Sequence, residues 1–165
     1  MKTELITNIA NLALALSFVI ALVFGIVQVR TSARDRKERF TLDILRNFQS
    51  RDFVELMYFM NAHEIPASFE EMKKLSKESW ILIVQFSQEM ESLGMLVAEK
   101  SINIDLVDKT LGSYVITSWE KLKPMILDNR IKQRDPFIAE YFQWLAEKLN
   151  ARMKANPRKP FNEIR

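Results

Sequence analysis

Residues Leu5 to Val29 carry no charged side chain, and Glu4 and Arg30 bracket them. No other feature constrains the chain so strongly. As a helix this stretch reaches roughly 37 Å, more than the roughly 30 Å hydrocarbon core of a bilayer. It predicts a transmembrane helix with the rest of the chain tethered to one membrane face. A cleaved secretory signal has a shorter apolar region of about 7–15 residues and a small-x-small cleavage site. Here the run is longer and ends in Phe24-Gly25-Ile26-Val27-Gln28-Val29, with large residues where small ones are needed. The expected organisation is a short outside end at 1–4, a transmembrane helix at 5–29 and a basic collar and stalk helix at 30–49. A helical cytoplasmic domain at 50–150 and a basic flexible tail at 151–165 complete it.

Charge gives the stretch a direction. The collar holds Arg30, Arg34, Arg36, Lys37 and Arg39 against Asp35 and Glu38, a net of +3 and equal to the formal charge of the whole chain. Lys and Arg beside a span resist translocation, which predicts an outside N-terminus and a cytoplasmic domain. Residues 150–165 carry five basic side chains and one acidic, whereas 40–149 are net acidic at 13 against 17. Both basic stretches suit anionic membrane lipid as a partner. Nucleic acid fits less well, because topology already accounts for the collar and the tail offers only Phe161 for base stacking. The chain has no cysteine, which excludes disulfides and thiolate metal sites.

Within the apolar run, Ala13, Ser17, Ala21 and Gly25 recur every four residues. On a helix they form one smooth ridge, the pattern that lets two membrane helices approach closely, and they predict a homo-oligomer.

Three glycines and five prolines are few breakers for this length, which predicts an all-α fold. Phe40, Ile44 and Phe48 give the stalk one apolar face, and Ser50 caps a helix whose Phe53–Met60 run is apolar enough to be buried or to face a partner. After Ile65-Pro66, Ser68 and Glu71 form a capping box for a short helix over 69–76. A longer helix follows from Glu78 to Leu93, with Gly94 as its C-terminal cap. Asn103 or Asp105 caps the next, where Ile104, Val107, Leu111, Tyr114, Val115, Trp119 and Leu122 recur at three and four. Gly112 sits inside that stripe, so the helix either tolerates it or splits there, and Pro124 either kinks the helix or starts another turn. Asp135-Pro136 reads as the start of a last helix, with Phe137, Ile138, Tyr141, Phe142, Leu145 and Leu149 on its buried face.

The glycines are too far apart for a phosphate loop, a dinucleotide fingerprint or a serine-hydrolase elbow. The single histidine, His63, begins His-Glu-Ile-Pro-Ala, which lacks the second ligand of a zinc helix. Glu89, Glu91, Glu99, Asp105, Asp108 and Glu120 remain as possible acids or metal ligands, and two of them converging in one cleft would favour a carboxylate-based enzyme. No catalytic, cofactor-binding or metal residue is assigned from the sequence.

Glu91-Ser-Leu-Gly94, Ile104-Asp-Leu-Val107, Leu111-Gly112, Trp119-Glu-Lys-Leu-Lys-Pro124 and Arg130 together resemble a pattern in small bacterial single-pass membrane proteins with a helical cytoplasmic domain of unknown function, family 4760. The chain departs from it at Lys100-Ser101, where a glycine is expected in the turn before Ile104. The resemblance implies an anchored all-α architecture in a bacterial inner membrane and supplies no reaction. The expected function is a membrane-anchored interaction or scaffold module that self-associates and binds an unidentified protein partner. The alternatives are a membrane-perturbing effector of a defence or toxin system and a carboxylate-based metal-dependent enzyme.

Overall fold

Three serines and one asparagine decide where four of the helices begin. Ser50 Oγ accepts from the Phe53 N–H, Ser68 Oγ from Glu71, Ser76 Oγ from Ser79, and Asn103 Oδ1 from Asp105. Each bond satisfies one of the backbone donors that a helix N-terminus leaves free. The computed structural model describes residues 2–163 apart from the side chain of Phe161, so Arg165 of the expected tail lies outside the described residues. The helices are α1 (Lys2–Asn47), α2 (Arg51–Ala62), α3 (Phe69–Met72), α4 (Lys77–Ala98), α5 (Ile104–Gln133) and α6 (Glu140–Ala155), followed by a 3-10 turn at Phe161–Glu163. Among the described residues there is no strand, and the all-α fold stands.

The chain divides into two units, one up to Arg39 and one from Phe40 onward. In the first, α1 is exposed at every position from Leu5 to Val29, with a mean hydropathy of 2.6 over its most apolar window. It is long and apolar enough to cross a membrane.

In the second unit, α4 packs against α2 and α6, α5 packs against α6, and α3 lies on α5. Ile83, Phe86, Met90, Leu93 and Val97 of α4 repeat at three and four and are buried, as are Val107, Val115, Trp119, Leu122 and Ile126 of α5. Phe142, Leu145, Ala146 and Leu149 of α6 complete the core, with Phe53, Leu56 and Met60 from α2. Phe86 joins the layers, edge-on to Tyr114 at 5.8 Å and to Phe142 at 6.4 Å. Hydrogen bonds between distant segments reinforce this packing. The Phe69 N–H donates to Asp128 Oδ2 at 2.8 Å, Lys121 Nζ to the Met60 carbonyl at 2.9 Å, and the Asn103 N–H to Thr41 Oγ1 at 2.9 Å.

Several boundaries differ from the sequence expectation. The helix ending at Gly94 instead runs through it to Ala98. Its terminus is a Schellman motif, in which the Ser101 N–H bonds to the Leu96 carbonyl and the Lys100 N–H to Val97. Lys100 takes φ 56, the left-handed conformation that glycine adopts most easily, at the turn where a glycine was expected. α5 ends in the same way on Arg134, also left-handed. The short helix over 69–76 stops at Met72. At Gly112 the helix takes the tolerant alternative, and α5 continues through both Gly112 and Pro124.

The last helix does not start at Asp135-Pro136. Those residues form a turn in which Asp135 Oδ1 accepts from the Phe137 N–H, and α6 begins at Glu140. Phe137, expected in the core, is therefore exposed at 67%. α6 also extends five residues past 150, into the segment expected to be a flexible tail. On the stalk, Phe40 is exposed and the buried stripe is Thr41, Leu45 and Phe48. The stalk helix stops at Asn47 rather than near Gln49.

Candidate functional site: the start of α6

α6 begins in a way its own sequence does not explain. Ala139 stands at the N-cap in the left-handed conformation, and no side chain of its own segment caps the helix. The cap comes from α4. Glu91 Oε1 accepts from the Tyr141 N–H at 3.2 Å and Oε2 from the Phe142 N–H at 2.8 Å. A carboxylate at a helix N-terminus makes charge-assisted bonds and meets the positive end of the helix dipole.

Gly94, one turn further along α4, makes this approach possible. A Cβ there would lie 2.2 Å from the Tyr141 carbonyl oxygen and 2.5 Å from its carbon. Both are backbone atoms and cannot rotate away. On the other side, Arg130 of α5 donates from Nε to the Ile138 carbonyl at 2.8 Å and from Nη1 to Gln143 Oε1 at 2.6 Å. Trp119 sits below, edge-on to Phe142 at 5.3 Å. Glu91, Gly94, Trp119 and Arg130 thus converge on residues 138–143.

The other two pattern residues lie elsewhere. Gly112 is buried in α5, and a Cβ there would meet Asp108 Oδ1 at 2.6 Å. Pro124 is exposed inside α5, where it supplies no N–H to the helix, and nothing in the structure explains its presence.

Beside the Glu91 cap is an apolar cleft of about 290 Å³, walled by Phe69, Trp80, Ile83, Val84, Ile126 and Ile138. The start of α6 is held by hydrogen bonds from two other helices, and both Glu91 oxygens already bind backbone. The arrangement holds structure together, and it places no free acid or base against the cleft.

Of the other candidate carboxylates, Glu99 and Glu120 are exposed and Glu89 is half-buried. Asp105 and Asp108 do share one cleft, as the enzyme alternative requires of two such residues. Yet Asp105 pairs with Arg152, and Asp108 lies 3.7 Å from Arg152 Nε and 3.9 Å from Arg158 Nη1. Among the described residues no three His, Asp or Glu side chains gather to hold a metal ion. His63 closes α2, with Nδ1 3.1 Å from the Phe59 carbonyl oxygen and its ring stacked on Phe59.

Among the described residues, two groups titrate away from their ordinary values. Burial pushes Tyr114 up to about 12. Lys73, hydrogen-bonded to Glu70, holds that carboxyl below the usual range. Neither lies at the start of α6.

In the first unit, Ala13, Ser17, Ala21 and Gly25 are exposed, and a Cβ on Gly25 would have nothing within 4 Å. The ridge is open. In the collar, Arg34 pairs with Glu38 at 3.0 Å and Arg36 Nε donates to the Ser32 carbonyl at 3.3 Å. Arg30 and Arg39 are exposed and Lys37 is partly covered.

Sequence reasoning picked out Arg130 only through the family pattern, and it gave Glu91 and Gly94 other roles, a possible acid and a helix end. Thr41 was missed because a threonine in a stalk gives no core signal, although it is fully buried. The recruitment of Arg152 and Arg158 by Asp105 and Asp108 was missed too, since some fifty residues separate the partners.

A family described as Domain of unknown function (DUF4760) matches residues 15–149. Comparison with curated proteins and with solved structures returns no match.

Proposed function

Since the chain belongs to the DUF4760 family, whose description assigns no activity, we propose from its own physical chemistry that it is a membrane-anchored helical adaptor. In this reading Leu5–Val29 spans the membrane and associates with a second copy through its small-residue ridge. The observation that carries it is the exposure of the whole apolar stretch. So large an apolar surface with no partner in its own chain is stable only in lipid or against other chains. The ridge of Ala13, Ser17, Ala21 and Gly25 is the part where two backbones can come closest.

The helical unit then presents surfaces to a protein partner. Val54 and Tyr58, one turn apart on α2, belong to the apolar Phe53–Met60 run but face outward, Tyr58 at 72% exposure. The positive collar favours a cytoplasmic position for this unit and an outside N-terminus, as in an inner-membrane protein. The adaptor reading is further supported by where the carboxylates go. Glu91 binds backbone, and Asp105 and Asp108 bind arginine.

Cross-linking tests the reading cleanly, because the chain has no cysteine of its own. Single cysteines at Ala13, Ser17, Ala21 and Gly25 are compared, in membranes, with Ala15, Val19 and Val23 on the opposite face. The adaptor reading predicts disulfide dimers from the first set and few from the second. Equal cross-linking from both faces, or none, overturns association through the ridge. Dye entry into overexpressing cells that is lost in Ala21→Leu/Gly25→Leu would favour the membrane-perturbing effector instead.

A further inference from the structure

The chain reaches its helical unit and leaves it at the same end. Thr41, fully buried, accepts from the Asn103 N–H and so fixes the arriving segment to the start of α5. Asp105 and Asp108 stand in the first turns of that helix. Asp105 pairs with Arg152, in the last turn of α6. Arg158, beyond α6, has Nη1 3.9 Å from Asp108 Oδ1 and donates to the Asp108 carbonyl at 2.8 Å. These contacts clasp the C-terminal segment onto the end of the unit where Thr41 enters. Eleven residues lie between Val29 and Thr41, a tether of at most about 43 Å of extended backbone.

The clasp leaves a surplus of positive charge. Lys109, Arg152, Arg158 and Lys159 line one broad cleft with Asp105 and Asp108. Lys100, in the turn before Asn103, and Lys154, in the last turn of α6, are exposed at the same end. Six cations therefore stand with Asp105 and Asp108, with Glu99 next to Lys100 in the chain and Glu163 in the last 3-10 turn. The two arginines are largely occupied by the aspartates, whereas Lys109, Lys154 and Lys159 make no ion pair among the described residues.

We propose that this end of the helical unit docks on the anionic headgroups of the bilayer that holds Leu5–Val29, with Lys109, Lys154 and Lys159 as the contacts. The Asp105–Arg152 and Asp108–Arg158 pairs aim the segment. Lipid is favoured over a free polyanion because the tether keeps the lysines at high effective concentration over the headgroups. Each lysine near an anionic surface shifts the docked-to-undocked ratio roughly fivefold, and salt screens the effect. The inference rests on the membrane anchoring proposed above.

The test uses the full chain in lipid nanodiscs, with Asn156→Cys as the only cysteine and a donor dye on it. Energy transfer is measured to acceptors on lipid headgroups. Discs of pure phosphatidylcholine are compared with discs holding one-third phosphatidylglycerol. Transfer is expected to rise on the anionic discs, to fall back in about 0.5 M salt, and to drop with the docked-to-undocked ratio at least tenfold in Lys154→Glu/Lys159→Glu. On neutral discs, Asp105→Asn/Asp108→Asn is expected to lower the dye's anisotropy as the clasp opens. Equal transfer on both lipids, or no response to the charge reversal, overturns the docking. Unchanged anisotropy overturns the clasp. A single-stranded oligonucleotide that strips the segment from anionic discs at equal phosphate concentration assigns the surface to nucleic acid and overturns it as well. A chain that enters neither kind of disc sinks the anchoring and this inference together, whereas a chain that enters without a dye response sinks the inference alone.

Discussion

Gly94→Ala puts the α4–α6 crossing under the most direct stress. The added Cβ would stand 2.2 Å from the Tyr141 carbonyl oxygen, and relief to ordinary contact requires a shift of roughly 1 Å between two helices. Neither helix can give locally, because the clash is with backbone. Overpacking of this kind costs about 1–3 kcal/mol. The same shift stretches the 2.8 Å bond from the Phe142 N–H to Glu91, which is charge-assisted and worth about 1.5–3 kcal/mol. Alanine returns about 1 kcal/mol through its better helix propensity. The net expectation is a loss of about 2–4 kcal/mol, a large fraction of the 5–15 kcal/mol typical of a domain. Melting followed by far-ultraviolet circular dichroism of the full chain in detergent should show the midpoint falling by roughly 8–15 °C. Ser92→Ala, at an exposed position of the same helix, is the control, and its midpoint should not fall. A Gly94→Ala midpoint within about 2 °C of the wild type would refute the close crossing and the role given to Glu91 with it.

Three further outcomes follow from particular residues. Glu91→Gln leaves one oxygen to serve two N–H donors and should cost about 1–2 kcal/mol in urea denaturation; an unchanged midpoint would mean that the cap carries no weight. Lys100→Gly relieves a left-handed lysine at φ 56 and should stabilise by up to about 1 kcal/mol after the entropy of glycine in the unfolded chain is subtracted; destabilisation would contradict the Schellman turn. Tyr114, raised to about 12, binds its proton more tightly folded than unfolded, so its contribution is complete below pH 10 and is lost as pH rises through 12. Between pH 9 and 11 the wild type should therefore lose more thermal stability than Tyr114→Phe, and equal losses would remove Tyr114 as the cause.

Local chemistry was legible in the sequence and long-range chemistry was not. The serine caps at 50 and 68, and Asn103, act on backbone within three residues, and each stands where spacing alone puts it. The apolar stretch reports its own length. Gly94 misled because glycine after Leu93 satisfies a local rule for helix ends, although Met90, Leu93 and Val97 carry the core stripe straight through it. Its true constraint is a carbonyl 47 residues later in the chain. Asp135-Pro136 misled for the same reason, since the actual cap of α6 is Glu91, on another helix. The clasp of Asp105 and Asp108 on Arg152 and Arg158 is likewise a pairing that no local pattern encodes.

The central claim is that Leu5–Val29 crosses a membrane and leaves the helical unit on the cytoplasmic side. Single cysteines at Thr3 and Asn162 flank it on the two sides, and a membrane-impermeant maleimide reads their exposure in intact cells and in inverted membrane vesicles. The account predicts that position 3 is labelled in intact cells and position 162 only in inverted vesicles, with the chain resisting alkaline extraction. Labelling of both positions from one side, or release of the chain by alkali, would contradict it.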